Sequence, residues 1–354
     1  MNPLDVFFNV MMAIVDALAL RAAARQRPLH GAVTVALAIA AILFMALMAG
    51  ALHGNAWRMM RLSAWGLFLH GTVLLAGAAV LWARPWRCGA ALAALGALLV
   101  AGTGIDAFFI EPQWLEITRW KLASNKLQRP VRIAVLADLQ TDTLGPYEHD
   151  VFRRLLAERP DLILLAGDYF QAEPDQYTRL YAQLNQWLRQ LGLSAPLGVF
   201  AVRGNMEDDD WTEAFAGLPV RTVERTESFD LGTLRLTCLS MGDSFAGRTV
   251  VAPHEADRFH IILGHSPDFA LARQTADLLI AGHTHGGQVQ LPLMGPLATN
   301  TRLPRAWAAG QHRLPGGGWL LVSRGVGMER GDAPRLRFLC RPELVIIDLV
   351  PESR

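Results

Sequence analysis

The sequence predicts two parts of different fold class, an N-terminal α-helical transmembrane bundle followed by a layered α+β domain. Its 354 residues exceed one ordinary domain, and the hydrophobic residues, 52% of the total, are concentrated before residue 111. After Glu111-Pro112, short apolar runs alternate with turn-rich segments, which is typical of strands. We therefore expect transmembrane helices over residues 1–110, a connecting segment and first strand over 111–130, and the layered α+β domain over 131–354.

Three stretches are long and apolar enough to cross a bilayer whose hydrocarbon core is about 30 Å thick. They are residues 32–52, 62–83 and 88–110. The first contains no charge, and the second has Trp65 and Trp82 near its ends, where interfacial aromatic residues belong. Asp106 alone interrupts the third. Because buried helices of soluble proteins rarely recur as uncharged runs of this length, these stretches predict transmembrane helices.

An earlier stretch, residues 3–20, is mostly apolar but contains Asp5 and Asp16. It is either an imperfect fourth span or a helix that lies in the membrane interface. A cleaved signal peptide is disfavoured because no basic region precedes the apolar run. The sequence therefore predicts three or four spans, with Asp16 and Asp106 as acidic residues inside them.

The basic residues of the connections indicate an orientation, because they favour the cytoplasmic side. The first and third connections carry five arginines, namely Arg21, Arg25, Arg27, Arg84 and Arg87. The other side carries four basic residues, namely Arg58, Arg61, Arg119 and Lys121. For a chain with four spans in a bacterial cytoplasmic (inner) membrane, this count favours an extracytoplasmic C-terminal domain.

Charge and cysteine usage exclude some classes of protein. The net charge of +1 argues against a nucleic-acid partner. The cysteines Cys88, Cys238 and Cys340 form no CxxC pair, so the sequence predicts neither a disulfide framework nor a zinc ribbon.

The C-terminal part contains eight short apolar runs, each read as a strand. They are Ile133–Leu136, Leu162–Ala166, Val199–Val202, Leu234–Leu239, Ile261–Leu263, Leu278–Ile280, Trp319–Val322 and Leu344–Leu349. Helical patterns at 148–158 and 176–191 lie between some of them, and residues 113–122 roughly alternate. The mixture predicts an α/β or layered α+β domain.

Five of these runs are followed at once by residues that can bind metal. The candidates are Asp138 and Gln140; Asp168; Asn205 and Glu207; His265; and His283 and His285. Each alone has a plainer interpretation as a turn, and His283-x-His285 in its glycine-rich segment could be a polar loop. Together they indicate a metal site, because the carboxyl ends of neighbouring strands converge. Mixed oxygen and nitrogen donors suit manganese, iron or zinc rather than calcium.

The motifs that carry these residues resemble the calcineurin-like metallophosphoesterase superfamily over residues 130–350. In chain order they are Asp138-x-Gln140, Gly167-Asp168, Gly204-Asn205-x-Glu207, Gly264-His265 and Gly282-His283-x-His285. With Arg341-Pro342-Glu343, they are similar to a membrane-anchored branch that includes a phosphoesterase of Bacillus and a chlamydial hydrolase of UDP-diacylglucosamine. The resemblance implies a four-layer αββα sandwich with a site for two divalent metal ions.

The resemblance also implies a role for each residue. Asp138, Gln140 and His285 would hold a first metal, Asn205, His265 and His283 a second, and Asp168 would bridge the two. Catalytic roles would fall to Asp138, Asp168, Asn205, Glu207 and His265. Manganese is the expected ion, with iron or zinc as alternatives. The chain departs from the family at Gln140 and Met206, where histidine is usual, and methionine cannot transfer a proton to a leaving group.

The expected function is hydrolysis of a phosphoester or pyrophosphate bond by a hydroxide held between two metals about 3.5–4 Å apart. The membrane helices favour a phosphorylated lipid or lipid-linked substrate, with the bilayer as a second partner. Arg203 and Arg324 are candidate phosphate contacts, although ordinary salt bridges are the more common role. Because Gln140 and Met206 replace histidines, a metal-binding sensor on the same fold is the alternative. Transport through the helices is a third possibility, raised by Asp16 and Asp106.

Overall fold

A computed structural model describes residues 3–52, 54–251 and 257–352 of the chain. The chain forms two compact units. The helical unit comprises Met1–Ile110 and Gly331–Arg335, and the second unit comprises Glu111–Arg330 and Leu336–Arg354. The short segment Gly331–Arg335 lies within the range 131–354 predicted for the C-terminal domain but groups with the helices.

Among its described residues, the helical unit contains four helices that are long and apolar enough to cross a membrane. They are α1 (Pro3–Ala24), α2 (Pro28–Leu52), a composite of α3 (Ala56–Ala64), a π-helical segment (Trp65–Gly71) and α4 (Thr72–Trp82), and α5 (Arg87–Ile105) with a π-helical extension (Asp106–Ile110). Residues 3–20, predicted as an imperfect span or an interfacial helix, lie within the 22-residue helix α1. These helices suggest that the chain is anchored in a membrane.

Burial in the helical unit is inverted relative to a soluble protein. Phe7 and Leu18 are 65% and 62% exposed, whereas Asp5 and Asp16 are only 2% and 5% exposed. Asp16 lies 2.7 Å from Nδ1 of His70 and Asp5 contacts the guanidinium of Arg61, so both carboxylates that interrupt α1 are paired. Apolar side chains outward and polar groups inward are what a hydrocarbon environment requires.

In the part of the chain that the structure describes, the second unit contains two six-stranded mixed sheets. The first has the order β1-β14-β2-β3-β4-β5 and the second β12-β13-β9-β8-β7-β6. The strands of the first sheet are β1 (Glu116–Ser124), β2 (Val131–Leu136), β3 (Leu162–Leu165), β4 (Val199–Val202), β5 (Val220–Val223) and β14 (Glu343–Pro351). Those of the second are β6 (Glu227–Leu231), β7 (Leu234–Cys238), β8 (Phe259–Leu263), β9 (Leu278–Ala281), β12 (Gly310–Arg313) and β13 (Trp319–Val322). A small hairpin pairs β10 (Gln290–Leu291) with β11 (Gly295–Pro296).

Alternating side chains divide each sheet between two hydrophobic cores. In β2, Ile133 and Val135 face the core between the sheets, and Ala134 and Leu136 face the core formed with helices. That outer core is covered by helices α6 (Pro146–Ala157) and α7 (Tyr177–Leu191). The outer face of the second sheet packs against shorter segments through residues such as Phe269, beside the short helix α8 (Met241–Ala246). The predicted αββα sandwich is therefore confirmed, with one helical layer thinner than the other.

All eight predicted apolar runs coincide with strands, and both helical patterns coincide with helices. Strands β5, β6 and β12 were not predicted, nor was the hairpin of β10 and β11. Strands β2, β3 and β4 are parallel neighbours in one sheet, and β8 and β9 are parallel neighbours in the other. The five predicted ligand-bearing loops thus follow the carboxyl ends of two sets of adjacent strands.

Candidate metal centre

The ligand-bearing loops of the two sheets meet at one edge of the sandwich. His265, which follows β8, has its Nε2 atom 3.3 Å from a carboxylate oxygen of Asp168, which follows β3. The same Nε2 atom lies 3.1 Å from Oδ1 of Asn205, which follows β4. A loop of the second sheet therefore completes a cluster that two neighbouring loops of the first sheet begin.

The backbone of these loops is held in conformations that L-residues seldom adopt. Five of the seven predicted metal ligands have a positive φ: Asp138 (52°), Gln140 (34°), Asp168 (54°), His283 (71°) and His285 (49°). Such conformations cost on the order of 1–3 kcal/mol each and concentrate at functional sites. Glycine provides room beside them, since a Cβ atom at Gly204 would lie 2.1 Å from Oδ1 of Asp168. These backbone conformations thus lower the stability of the fold but fix the positions of the side chains.

One group of candidate ligands consists of Asp168, His265 and His283, with Asn205 beside it. Potential ligand atoms of the first three residues all lie within 4.8 Å of one another, and all three are buried. Nδ1 of His265 donates to the carbonyl oxygen of Ala166 at 2.8 Å, which directs Nε2 toward Asp168 and Asn205. Metal-bound histidines are commonly fixed in this way by a backbone carbonyl.

A second group consists of Asp138, Gln140 and His285. Oε1 of Gln140 contacts Nε2 of His285. The other ring nitrogen of His285, Nδ1, is buried and has no hydrogen-bond partner among the described residues. Asp138 connects the groups, because one of its carboxylate oxygens lies 3.8 Å from Nδ1 of His265.

The electrostatics of the site fit a bound cation. Burial raises the pKa of Asp138 to about 7. Burial acts to lower the pKa of His265, but the carboxylates of Asp168 and Asp138 outweigh it and raise that pKa to about 10. Burial likewise acts to raise the pKa of Asp168, and the charge of His265 reverses the shift, so the pKa is lowered. In the metal-free protein, protonated His265 thus supplies the positive charge that these buried carboxylates need.

The remaining histidines of the site are suited to metal binding. Burial and the charge of His265 lower the pKa of His283 to about 4. Burial, followed by the charge of Arg337, lowers the pKa of His285 well below its usual value. Both rings are therefore neutral near pH 7, which is the form that binds a metal. The carboxylates, neutral imidazoles and the unpartnered Nδ1 atom together fit divalent metal ions.

Glu207 joins the loops that carry Asp168 and Asn205. Its carboxylate accepts hydrogen bonds from the backbone N–H groups of Asp168 (3.2 Å), Gly204 (2.6 Å) and Tyr169. Burial raises its pKa to about 8, with a contribution from the charge of Asp168. Glu207 is only 5% exposed. Its hydrogen bonds join the loop that carries Asp168 to the loop that carries Asn205, and we call this set of contacts the clamp.

Met206 lies beside the ligands but supplies no acid. Its backbone N–H donates to Oδ1 of Asp168 at 3.0 Å, and its sulfur accepts from Nδ2 of Asn205 at 3.1 Å.

The two arginines considered as phosphate contacts are both paired. Arg324 lies 2.8 Å from Glu116 and also contacts Glu343, and Arg203 lies 3.0 Å from Asp209. These contacts match the structural role of an ordinary salt bridge.

Sequence reasoning missed several residues that surround the ligands. Gln171 and Glu329 accept hydrogen bonds from the amide of Gln140. The buried guanidinium of Arg337 donates to the carbonyl oxygens of Gly327 and Cys340 at 2.9 and 2.8 Å. These residues lie in irregular segments without a strand-end pattern, and only the glycines around Glu329 set its segment apart in the sequence.

The chain is similar to known phosphoesterases over most of its length. The family model for calcineurin-like phosphoesterase matches residues 131–287. Phosphodiesterase YaeI of Escherichia coli is 31% identical over 275 residues, which cover 73% of this chain and 97% of YaeI. The metallophosphoesterase YkuE of Bacillus subtilis is 31% identical over 278 residues, which cover 72% of this chain and 93% of YkuE. A metallophosphoesterase of Aquifex aeolicus is 26% identical over 264 residues, covering 68% and 94%.

The matched segment 131–287 contains all seven predicted metal ligands, from Asp138 to His285. The similarity to YaeI and YkuE extends beyond it and includes nearly all of each relative. The chain belongs to the calcineurin-like phosphoesterases and is a metal-dependent phosphoesterase.

Proposed function

We propose that this protein is a membrane-anchored, two-metal phosphoesterase whose substrate is a lipid-linked phosphoester. The observation that carries the proposal is the convergence of Asp168, His265 and His283, with Asn205 at their side. The second group, Gln140 and His285 with Asp138 nearby, adds enough donors for another cation. In this proposal Asp168 is shared between the two metals.

Two bound divalent cations would supply an acidified water molecule as nucleophile and polarise the phosphoryl group. The side chains of the chain position the substrate. Asn205 is the exposed member of its group, so its amide can donate to a phosphoryl oxygen while its carbonyl oxygen faces the metal site. Met206 cannot donate a proton, so the leaving group takes its proton from water. Substrates with a good leaving group should therefore react fastest.

The helical unit supports the proposal of a lipid-linked substrate. Its large apolar side chains are exposed and its carboxylates are buried, as in a bilayer-embedded protein. An anchored enzyme meets lipid phosphoesters at a much higher local concentration than soluble ones. The extracytoplasmic orientation that the count of basic residues favours points to a phospholipid or polyprenyl phosphate rather than a UDP-linked lipid A precursor, whose site would be cytoplasmic.

The test uses the full chain purified in detergent and reconstituted in vesicles. Metal content is measured, and hydrolysis of bis-p-nitrophenyl phosphate with manganese is compared between the native protein and Asp168→Asn. A panel of phospholipids and polyprenyl phosphates is then compared with short-chain analogues that carry the same headgroup. We expect a higher kcat/KM for the bilayer-embedded members.

Two outcomes would contradict the proposal in different ways. Equal kcat/KM for embedded and short-chain substrates would remove the lipid preference but leave the phosphoesterase. Stoichiometric metal without turnover on the whole panel would favour the metal-binding sensor that Gln140 and Met206 suggest. A reporter fused after Arg354 determines the side of the membrane.

A further inference from the structure

The amide of Gln140 has only one orientation that satisfies its surroundings. Its Nε2 atom donates to Oε1 of Gln171 at 2.8 Å and to Oε2 of Glu329 at 3.1 Å. Both partners are acceptors, so the NH₂ group must face them. The carbonyl oxygen Oε1 must then face His285. The residue that replaces the usual histidine thus presents an oxygen, not a nitrogen, to the metal site.

The two acceptors are themselves fixed. Oε1 of Gln171 also accepts the backbone N–H of Arg330 at 2.6 Å, so that atom has to be the oxygen of the amide. The backbone N–H of Glu329 donates to Oε1 of Gln288 at 2.9 Å, which anchors its segment to the loop that follows His285. Nε of Arg330 donates to the backbone carbonyl of Gln140 at 3.1 Å. The consecutive residues Glu329 and Arg330 therefore contact both the side chain and the main chain of Gln140.

The negative charge of the Glu329 carboxylate affects the amide of Gln140. A hydrogen bond from an amide NH₂ to a carboxylate is charge-assisted. It draws positive charge toward the NH₂ group and leaves more negative charge on the carbonyl oxygen. The amide of Gln140 becomes a better oxygen donor than an amide exposed to water.

This orientation changes the character of the first metal site. With Gln140 in place of a histidine, the donors there are oxygens of Asp138, Gln140 and Asp168 and one imidazole, that of His285. The second site keeps two imidazoles, those of His265 and His283. Oxygen donors suit manganese and magnesium, whereas imidazole suits zinc and iron.

We propose that Glu329 and Gln171 are positioning residues that turn the carbonyl oxygen of Gln140 toward the first metal, and that this makes the first site selective for a hard divalent cation, manganese or magnesium. The inference rests on the two-metal site proposed above. It assigns a function to Gln140, which stands where the family usually has histidine, and adds Glu329 and Gln171, two residues outside the family motifs, to the metal centre.

The test is a calorimetric titration of the metal-free full chain with Mn²⁺ and, separately, with Zn²⁺. Gln140→Ala identifies the binding step that belongs to the first site, and the other step serves as an internal reference. Glu329→Leu should weaken Mn²⁺ at the first site about 10–100-fold, the usual effect of losing a residue that orients a ligand. Glu173→Leu, the same change at an exposed glutamate of the same unit, should alter neither step.

Two further variants test the chemistry rather than the fold. Glu329→Gln keeps an acceptor oxygen for the amide of Gln140 but removes the negative charge, so its Mn²⁺ affinity at the first site should lie between those of the native protein and Glu329→Leu. Gln140→His adds a nitrogen donor, so the affinity ratio of Zn²⁺ to Mn²⁺ at the first site should rise at least tenfold. Unchanged Mn²⁺ affinity in Glu329→Leu, or an unchanged ratio in Gln140→His, overturns the inference.

These measurements do not depend on catalysis. If the proposed function fails, the native protein binds two metals and the variants still shift the first step, but no phosphoester is hydrolysed. If the inference alone fails, the native protein hydrolyses phosphoesters, and the variants bind metal at the first site with the affinity of the native protein.

Discussion

Both carboxylate oxygens of Asp138 lie within hydrogen-bonding distance of the backbone N–H of His283, at 2.9 and 3.0 Å. The two residues are 145 positions apart and belong to different sheets, so this contact joins the first ligand-bearing loop to the last. The contact with His283 gives Asp138 a structural function, which needs only an acceptor oxygen. The metal binding that we propose for Asp138 is separable from it, because metal binding needs the negative charge.

The two functions of Asp138 predict different results for two variants. Asp138→Asn keeps an acceptor for His283 but removes a buried charge, so the metal-free protein should melt at or above the native temperature while metal at the first site is lost. Asp138→Ala removes the acceptor as well and should cost about 1–3 kcal/mol, the usual penalty for a buried unpaired N–H. Thermal unfolding in EDTA and metal analysis after dialysis against manganese measure the two effects. Equal melting temperatures for both variants would contradict the structural function.

Glu207 is expected to matter more for stability than its neighbours in sequence. Glu207→Ala leaves three backbone N–H groups without their acceptor, in the loops that hold Asp168 and Asn205, and should cost about 3 kcal/mol or more. Asp209→Ala is the matched control, because Asp209 is 96% exposed in its pair with Arg203 and such pairs contribute little. Denaturant unfolding compares them. A loss below about 1 kcal/mol for Glu207→Ala would show that water replaces the clamp.

The metal-free protein should lose stability as pH rises from 7 to 9. The pKa of His265 is about 10 in the folded protein, above its usual 6.5, so between these values the folded state binds more protons than the unfolded state. Stability from this group is complete below pH 6.5 and is lost as pH rises toward 10, by up to about 1.4 kcal/mol per pH unit. Asp138, with its pKa raised to about 7, adds a loss in the same direction up to that pH.

Manganese should flatten this pH dependence, because a metal-bound His265 carries no exchangeable proton at the ligating nitrogen. The measurement is the melting temperature of the full chain in EDTA and in manganese at pH 7, 8 and 9. The variant His265→Gln in EDTA should also give a shallower slope than the native protein. A melting temperature that rises with pH in EDTA would contradict the assignment of positive charge to His265.

The sequence predicted those features that depend on local pattern. Strands such as Leu162–Leu165 and Val199–Val202 are continuous apolar runs because they are buried on both faces. Strand β12, Gly310–Arg313, is polar and half-exposed at a sheet edge, so it has no such pattern.

Features that depend on distant partners could not be predicted from the sequence. Glu329 reaches Gln140 from 189 positions away, in a segment with no periodicity. The same holds in the helical unit, where Asp16 interrupts an apolar run and its partner His70 is 54 positions away. Local pattern thus predicted the candidate ligands, whereas the residues that contact them from distant segments became visible only in the fold.

The pair of Asp16 and His70 gives the last prediction. Nδ1 of His70 lies 2.7 Å from Asp16, and Nε2 lies 3.0 Å from Oδ1 of Asn9. The NH₂ group of Asn9 donates to the backbone carbonyl of Asp5 at 2.7 Å. The atom of Asn9 that faces His70 is therefore the oxygen Oδ1, which accepts a hydrogen bond. His70 must then donate through Nε2, and the ring is fixed between two groups of α1. The pair therefore joins α1 to the π-helical segment that contains His70.

Removing one partner should be worse than removing both. His70→Leu leaves the carboxylate of Asp16 inside the bundle without its partner, at a cost of about 3 kcal/mol. The double variant Asp16→Leu with His70→Leu replaces the pair by apolar groups that suit this interior, and should recover most of that loss. Helical circular dichroism on heating in detergent measures both, with His30→Leu, at an exposed helix end, as the control. If the double variant melts as low as His70→Leu, the loss comes from packing rather than from the unpaired carboxylate.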